Sequence, residues 1–141
     1  MTAAEAPTVS GRGSKAITRY RAVLIVSIVL NVAVGFFIMF APEAFTGLLH
    51  QPDAFPTTWP RHWGFQLLAI NALYMPGFWD PMRHRWPNWC GIVIRGVFSL
   101  FFLSQGDGFV PMAVYDGSSG LALLLAYLPV VKSPQDVRIA S

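Results

Sequence analysis

Charge is scarce in this chain of 141 residues. Lys, Arg, Asp and Glu together make up 12% of it, where soluble domains carry about a quarter. With 54% hydrophobic residues and a mean hydropathy of +0.48, too little polar side chain remains to cover a folded surface in water. That excludes an ordinary soluble domain. Cysteine is nearly absent: Cys90 stands alone, which excludes an internal disulfide and a cysteine-based metal frame. The motifs of common chemistries are missing as well. No G-x-S-x-G, H-E-x-x-H or phosphate-loop pattern occurs, so no reaction class is legible and the chain is not assigned as an enzyme. The formal net charge is +3, a balance that accompanies nucleic-acid binding in soluble proteins. Here the basic residues sit at the ends of apolar runs, as membrane topology requires, and nucleic acid is set aside as a partner.

Long apolar runs are what the sequence does have. The first, Ala22 to Ala41, is preceded by Arg19 and Arg21 and followed by Pro42. About 20 residues suffice to cross a hydrocarbon core of about 30 Å. Further runs extend over His62 to Trp79, Trp89 to Ser104 and Val110 to Val131. Their boundaries are Pro60, the pair Asp80 and Pro81, Pro87, and "QGDG" at Gln105 to Gly108, with Pro129 inside the end of the last run. The third run is short for a span and draws in Pro87 or Gln105. Met1 to Thr18 is polar and without apolar period, and reads as a flexible tail. The run after it is too long for a cleavable signal peptide. The expected fold is all-α: an integral membrane four-helix up-down bundle over residues 19–132, with tails over 1–18 and 133–141. The segment "PEAFTGLLHQPDAFPTTWPR" carries Phe45, Leu48, Leu49 and Phe55. It reads as an amphipathic stretch along the membrane surface between the first two helices. Trp59, Trp63, Trp79, Trp86 and Trp89 all fall at predicted interfaces, as an aromatic belt would.

Orientation follows from Lys and Arg. Arg12, Lys15, Arg19, Arg21, Arg83, Arg85, Lys132 and Arg138 fall on one side and Arg61 on the other. Both termini are therefore expected on the cytoplasmic face.

One basic residue remains. Arg95 lies inside "GIVIRGVFSLFF", where a charge costs at least ~3 kcal/mol near a bilayer centre. If the third helix begins near Trp89, Arg95 is only ~9 Å deep and can snorkel to the interface. The alternative is a partner on the next helix, and Asp116 in "MAVYDGSSGLALLL" is the candidate. By the rise per residue the two lie about 9 Å apart in height, within reach of a long side chain, a tilt or one bridging group. Asn31, Gln66, Asn71, Tyr74 and Ser99 also fall at intermediate depth and should point inward. Together they make either a hydrogen-bonded core that sets helix register or a polar pocket in which Arg95, Asp116, Asn71, Tyr74 and Gln66 bind a ligand. Gly35, Gly64, Gly91, Gly96 and the "DGSSG" of Asp116 to Gly120 read as sites of close helix packing. His50, Asp53 and His62 match no metal motif, and His84 belongs to a basic loop.

"WPRHWGFQLLAINALY", then "DPMRHRWPNWCGIVIRGVFSLFF", then a last span opening with "YDG" resemble small four-span bacterial membrane proteins of the DoxX-like kind. The shared traits are Arg61 and Gly64 opening the second span and Arg95 with Gly96 in the third, over about residues 40–131. The resemblance implies a multi-pass protein of the bacterial inner membrane and carries no activity, cofactor or functional residue with it. Two functions then fit. One is a non-catalytic accessory or stabilising subunit of a larger inner-membrane complex, with other membrane subunits or itself as partners. The other is binding of a lipid-like ligand, such as a quinone or isoprenoid, in the polar pocket. A transporter or channel would need an oligomer, since four short helices enclose no conduction path.

Overall fold

The computed structural model describes residues Gly11–Ser133, and within them only helices occur. Helix α1 runs over Gly11–Phe40, the short α2 over Pro42–Leu48, α3 over Thr58–Trp79, α4 over Arg85–Leu103 and α5 over Val110–Lys132. A single 3₁₀ turn, Asp107–Phe109, leads into α5.

Proline sets most of these limits. Pro42 begins α2 at its first turn and cannot continue α1, and Ala41 before it leaves the helical region at φ −137°. Asp80, likewise non-helical before Pro81, ends α3. Its carboxylate accepts the N–H groups of Met82 at 3.1 Å and Arg83 at 3.0 Å, which turns the chain toward α4. Gly106 takes the left-handed φ of +104° that lets the chain reverse into α5.

The polar tail expected over residues 1–18 is in part a helix: Gly11 to Thr18 continue α1, and residues 1–10 lie outside the described residues. Helix continues there because nothing in "GRGSKAIT" stops a helix that the apolar run has already nucleated. The tail expected over 133–141 lies, beyond Ser133, outside the described residues too. Helix α4 starts at Arg85, four residues before the apolar run, because Pro87 is tolerated in a first turn.

The four long helices run alternately up and down. Along α1, Gly35 meets Gly64, Asn31 meets Asn71, and Arg21 meets the Phe78 carbonyl, so α3 is antiparallel to α1. Arg95 meets Asp116 and Ser99 meets the Ala113 carbonyl, so α5 is antiparallel to α4. Around the bundle the order is α1, α3, α4, α5, and among these neighbours α3 and α4 touch least.

Two apolar clusters close the ends. At one end Tyr20, Leu24, Leu123, Tyr127 and Val130 are buried. Tyr20 and Tyr127 have ring centroids 4.8 Å apart, and the Tyr127 hydroxyl donates to the Pro81 carbonyl at 3.1 Å. At the other end Ile38, Phe45, Phe102, Met112 and Ala113 are buried. Here the segment after α1 departs from the surface-lying stretch expected of it. Phe45 is 7% exposed and closes the bundle, whereas Leu48 at 66% and Phe55 at 90% face outward. Gln51 ties the segment to the 3₁₀ turn through the Gly108 carbonyl at 3.1 Å. The tryptophans divide likewise: Trp59, Trp79 and Trp86 are exposed, while Trp63 packs on Phe102 and Trp89 on Tyr127.

Three stretches, Gly13–Phe40, Arg85–Leu103 and Asp107–Lys132, are helices long and apolar enough to cross a membrane. They mark this as a membrane protein. Helix α3 has the length, with 22 residues, but Arg61, His62, Gln66 and Asn71 dilute its apolar content.

Candidate functional site

A layer of polar side chains separates the two apolar clusters. Arg95 is its centre, 3% exposed and so fully inside the bundle. Its Nη1 donates to Asp116 Oδ1 at 2.9 Å and its Nη2 to Ser27 Oγ at 2.9 Å. The guanidinium also lies 5.7 Å from the ring centroid of Tyr115, a cation–π distance. The pair forms directly because the helix limits bring the heights together. Arg95 lies eight residues before the end of α4 and Asp116 six after the start of α5, about 12 and 9 Å from a shared edge. From the other end of α4 Arg95 is ten residues in, about 15 Å rather than ~9 Å, and its guanidinium turns inward instead of snorkelling.

A chain of hydrogen bonds runs off this layer. The Tyr115 hydroxyl donates to Asn31 Oδ1 at 2.7 Å, Asn31 Nδ2 to Asn71 Oδ1 at 3.3 Å, and Asn71 Nδ2 to the Leu67 carbonyl at 2.8 Å. Every step passes from a donor to an acceptor, so the order is internally consistent. Ser99 donates to the Ala113 carbonyl at 2.8 Å. Gly117 and Gly120 let α4 approach α5: a Cβ on Gly120 would stand 3.1 Å from Arg95 Cβ, and one on Gly117 2.8 Å from Ser99 Oγ.

The polar layer is reached from the side of the bundle. Between α3 and α4 lies a cavity of about 650 Å³, within the range of about 300–1,000 Å³ typical of small-molecule sites. Its walls are apolar, with Leu67, Ile70 and Leu73 from α3 and Ile94 and Phe98 from α4. It extends from Trp63 to Pro76 along α3, about 20 Å at the helical rise. Asn31, Tyr74, Arg95, Tyr115 and Asp116 form its polar part. The opening has a packing cause. Gly35 and Gly64 draw α3 onto α1, where a Cβ on Gly64 would sit 2.6 Å from the Gly35 carbonyl oxygen. The glycines of α5 draw α4 the other way, and α3 and α4 are left apart.

Of the five site residues read from the sequence, the structure brings Arg95, Asp116 and Tyr74 to the cavity. Asn71 is 4% exposed and does not line it; the residue stands behind Asn31 and orients it. Gln66 is misplaced by the sequence reading. It faces outward and bonds His62 at 3.0 Å, one helical turn away. Gly96 also departs from expectation, since a Cβ there would meet nothing within 4 Å. Ser27 and Tyr115 are the residues that sequence reasoning passed over. Their signals were present: Ser27 is one turn from Asn31, and Tyr115 adjoins Asp116. Among the described residues no group of three or more His, Cys, Asp and Glu is placed to hold a metal ion.

No family model matches this chain, and no curated protein or solved structure does so significantly.

Proposed function

We propose that this protein is a four-span membrane protein that holds a lipid-like molecule in the cavity between α3 and α4. The observation that carries the reading is the cavity itself: about 650 Å³, apolar along its walls, and ending on the Arg95–Asp116 layer. Apolar walls with a few convergent polar groups are what a ligand site inside a bilayer requires. An intramembrane charge pair facing such a space supports the reading of a functional site.

Helix α3 is read as the fourth span. It is about 33 Å long at the helical rise, and Phe65 at 61% and Leu73 at 68% exposure present apolar surface outward as the other spans do. The excess of Lys and Arg on one side supports an orientation with both termini in the cytoplasm. The DoxX-like resemblance points to the bacterial inner membrane. An accessory-subunit role drew support from short loops and missing catalytic motifs. The cavity supplies a ligand site within the chain, so ligand binding takes first place.

The test is extraction of lipid from protein purified in mild detergent, followed by mass spectrometry. One lipid-like species enriched over the bulk membrane lipids is expected. Ile94→Trp, which adds bulk at an apolar residue of the cavity wall, should deplete it, as should Arg95→Ala and Asp116→Asn. Unchanged lipid content in all three variants refutes the proposal.

A further inference from the structure

We infer that the ligand of this cavity carries a single small uncharged head group, and that this group is a hydroxyl, as in a long-chain alcohol. The inference rests on the ligand-binding reading above and narrows it to a chemical class.

Charge comes first. A lone arginine beside an apolar cavity would point to an anionic head group. Arg95 is not alone. Its Nη1 is bound to Asp116, its Nη2 to Ser27, and the Tyr115 ring lies beside it. The charged residues that line the cavity are Arg95 and Asp116, so its formal charge sums to zero. An anion entering here would meet the carboxylate as well as the guanidinium. It would be desolvated without a net opposite charge to compensate it. A cation meets the same balance with the signs exchanged.

Depth points the same way. Arg95 is ten residues from one end of α4 and eight from the other, hence about 12–15 Å from either end. A phospholipid head cannot be drawn that deep without losing its hydration. A molecule whose only polar group is small and neutral can.

The remaining valences select the group. Asp116 uses Oδ1 for Arg95, and Oδ2 makes no hydrogen bond among the described residues, while the side chain keeps 14% exposure at the cavity. The Tyr115 hydroxyl spends its proton on Asn31 and retains an acceptor lone pair. Tyr74 lines the cavity, and its hydroxyl makes no side-chain hydrogen bond among the described residues. The acceptors on Asp116 and Tyr115 are thus left open beside donors on Tyr74 and on Arg95, whose Nε has no hydrogen-bond partner. A ligand hydroxyl both donates and accepts, so it can give its proton to Asp116 or Tyr115 and accept from Tyr74. A carbonyl accepts only, so it would leave the acceptors of Asp116 and Tyr115 without a donor. The groove of about 20 Å along α3 holds the chain.

Cys90 provides the readout, being the only cysteine in the chain and a cavity-lining residue. The full-length protein in lipid nanodiscs is alkylated with N-ethylmaleimide in the presence of oleyl alcohol or of oleyl sulfate, which shares the chain but stays ionised. Oleyl alcohol should slow alkylation saturably, and oleyl sulfate should need about a tenfold higher mole fraction, given the uncompensated burial of its charge. Asp116→Asn removes the negative charge and leaves Arg95 unpaired, so the order should invert. Equal or stronger protection of the native protein by the sulfate overturns the hydroxyl assignment and leaves the ligand site standing. Protection by neither compound, together with no enriched lipid on extraction, overturns both. The native comparison stands by itself if Asp116→Asn does not fold.

Discussion

Replacing Arg95 and Asp116 by leucine, singly and together, tests whether the two charges act as one unit. In Asp116→Leu the guanidinium stays buried at 3% exposure with Ser27 and the Tyr115 ring as its remaining contacts. Its Nε already has no hydrogen-bond partner. Removing one member of a buried pair costs about 3–5 kcal/mol, and this variant belongs in the upper half of that range. In Arg95→Leu the carboxylate left behind is 14% exposed at the cavity. It can take up a proton or a water, which places its loss near about 3 kcal/mol. Independent sites would then lose about 7 kcal/mol together. Leucine at both positions leaves no charge to strand, so the double variant should fall short of that sum by about 2–3 kcal/mol. At about 2–4 °C per kcal/mol for a chain of this size, the shortfall is about 4–12 °C. Thermal unfolding in mild detergent, followed by tryptophan fluorescence, measures all four proteins. Strictly additive shifts in melting temperature would falsify the coupling and make Arg95 and Asp116 two separate buried groups.

The glycines make a contrasting pair. Gly64→Ala puts a Cβ 2.6 Å from the Gly35 carbonyl oxygen and 2.8 Å from the Met39 nitrogen. These are backbone atoms that cannot step aside, so a loss of about 1–3 kcal/mol is expected. Gly96→Ala meets nothing and should gain about 0.5–1 kcal/mol from helix propensity; equal melting temperatures for the two variants would contradict the close approach of α1 and α3. For topology, a reporter fused after Ser141 should be active only in the cytoplasm and one inserted after Ala54 only outside it, and the reverse pattern would overturn the orientation.

How far the sequence could be read depends on whether a feature is local. The four apolar runs and their ends are local. Pro42, Pro81 and Gly106 act on the backbone beside them, and the helices stop where those residues stand. Starts were less legible. Gly11 to Thr18 and Arg85 to Asn88 are polar, and their inclusion in α1 and α4 reflects helices extending past the apolar run that nucleates them. The opposite signs of Arg95 and Asp116 on consecutive antiparallel helices named the pair. The distance between them did not follow until the helix limits were known.

The sequence by itself determined that the chain carries helices apolar enough for a lipid phase, that an arginine lies among them, and that Asp116 is the candidate for its counter-charge, since chain length, hydropathy and sign need no third dimension. The tertiary structure decided the rest of the site. Gln66 and Asn71 lie on the same helix with similar polarity, yet one faces outward to His62 and the other inward to Asn31. Five residues at about 100° each set them far apart around the axis, and only the seating of Gly64 on Gly35 fixes which direction is inward. The same seating, opposed by Gly117 and Gly120 on the α4 side, leaves α3 and α4 apart and creates the cavity. A gap is a property of two surfaces that fail to meet, and no residue within it encodes it alone.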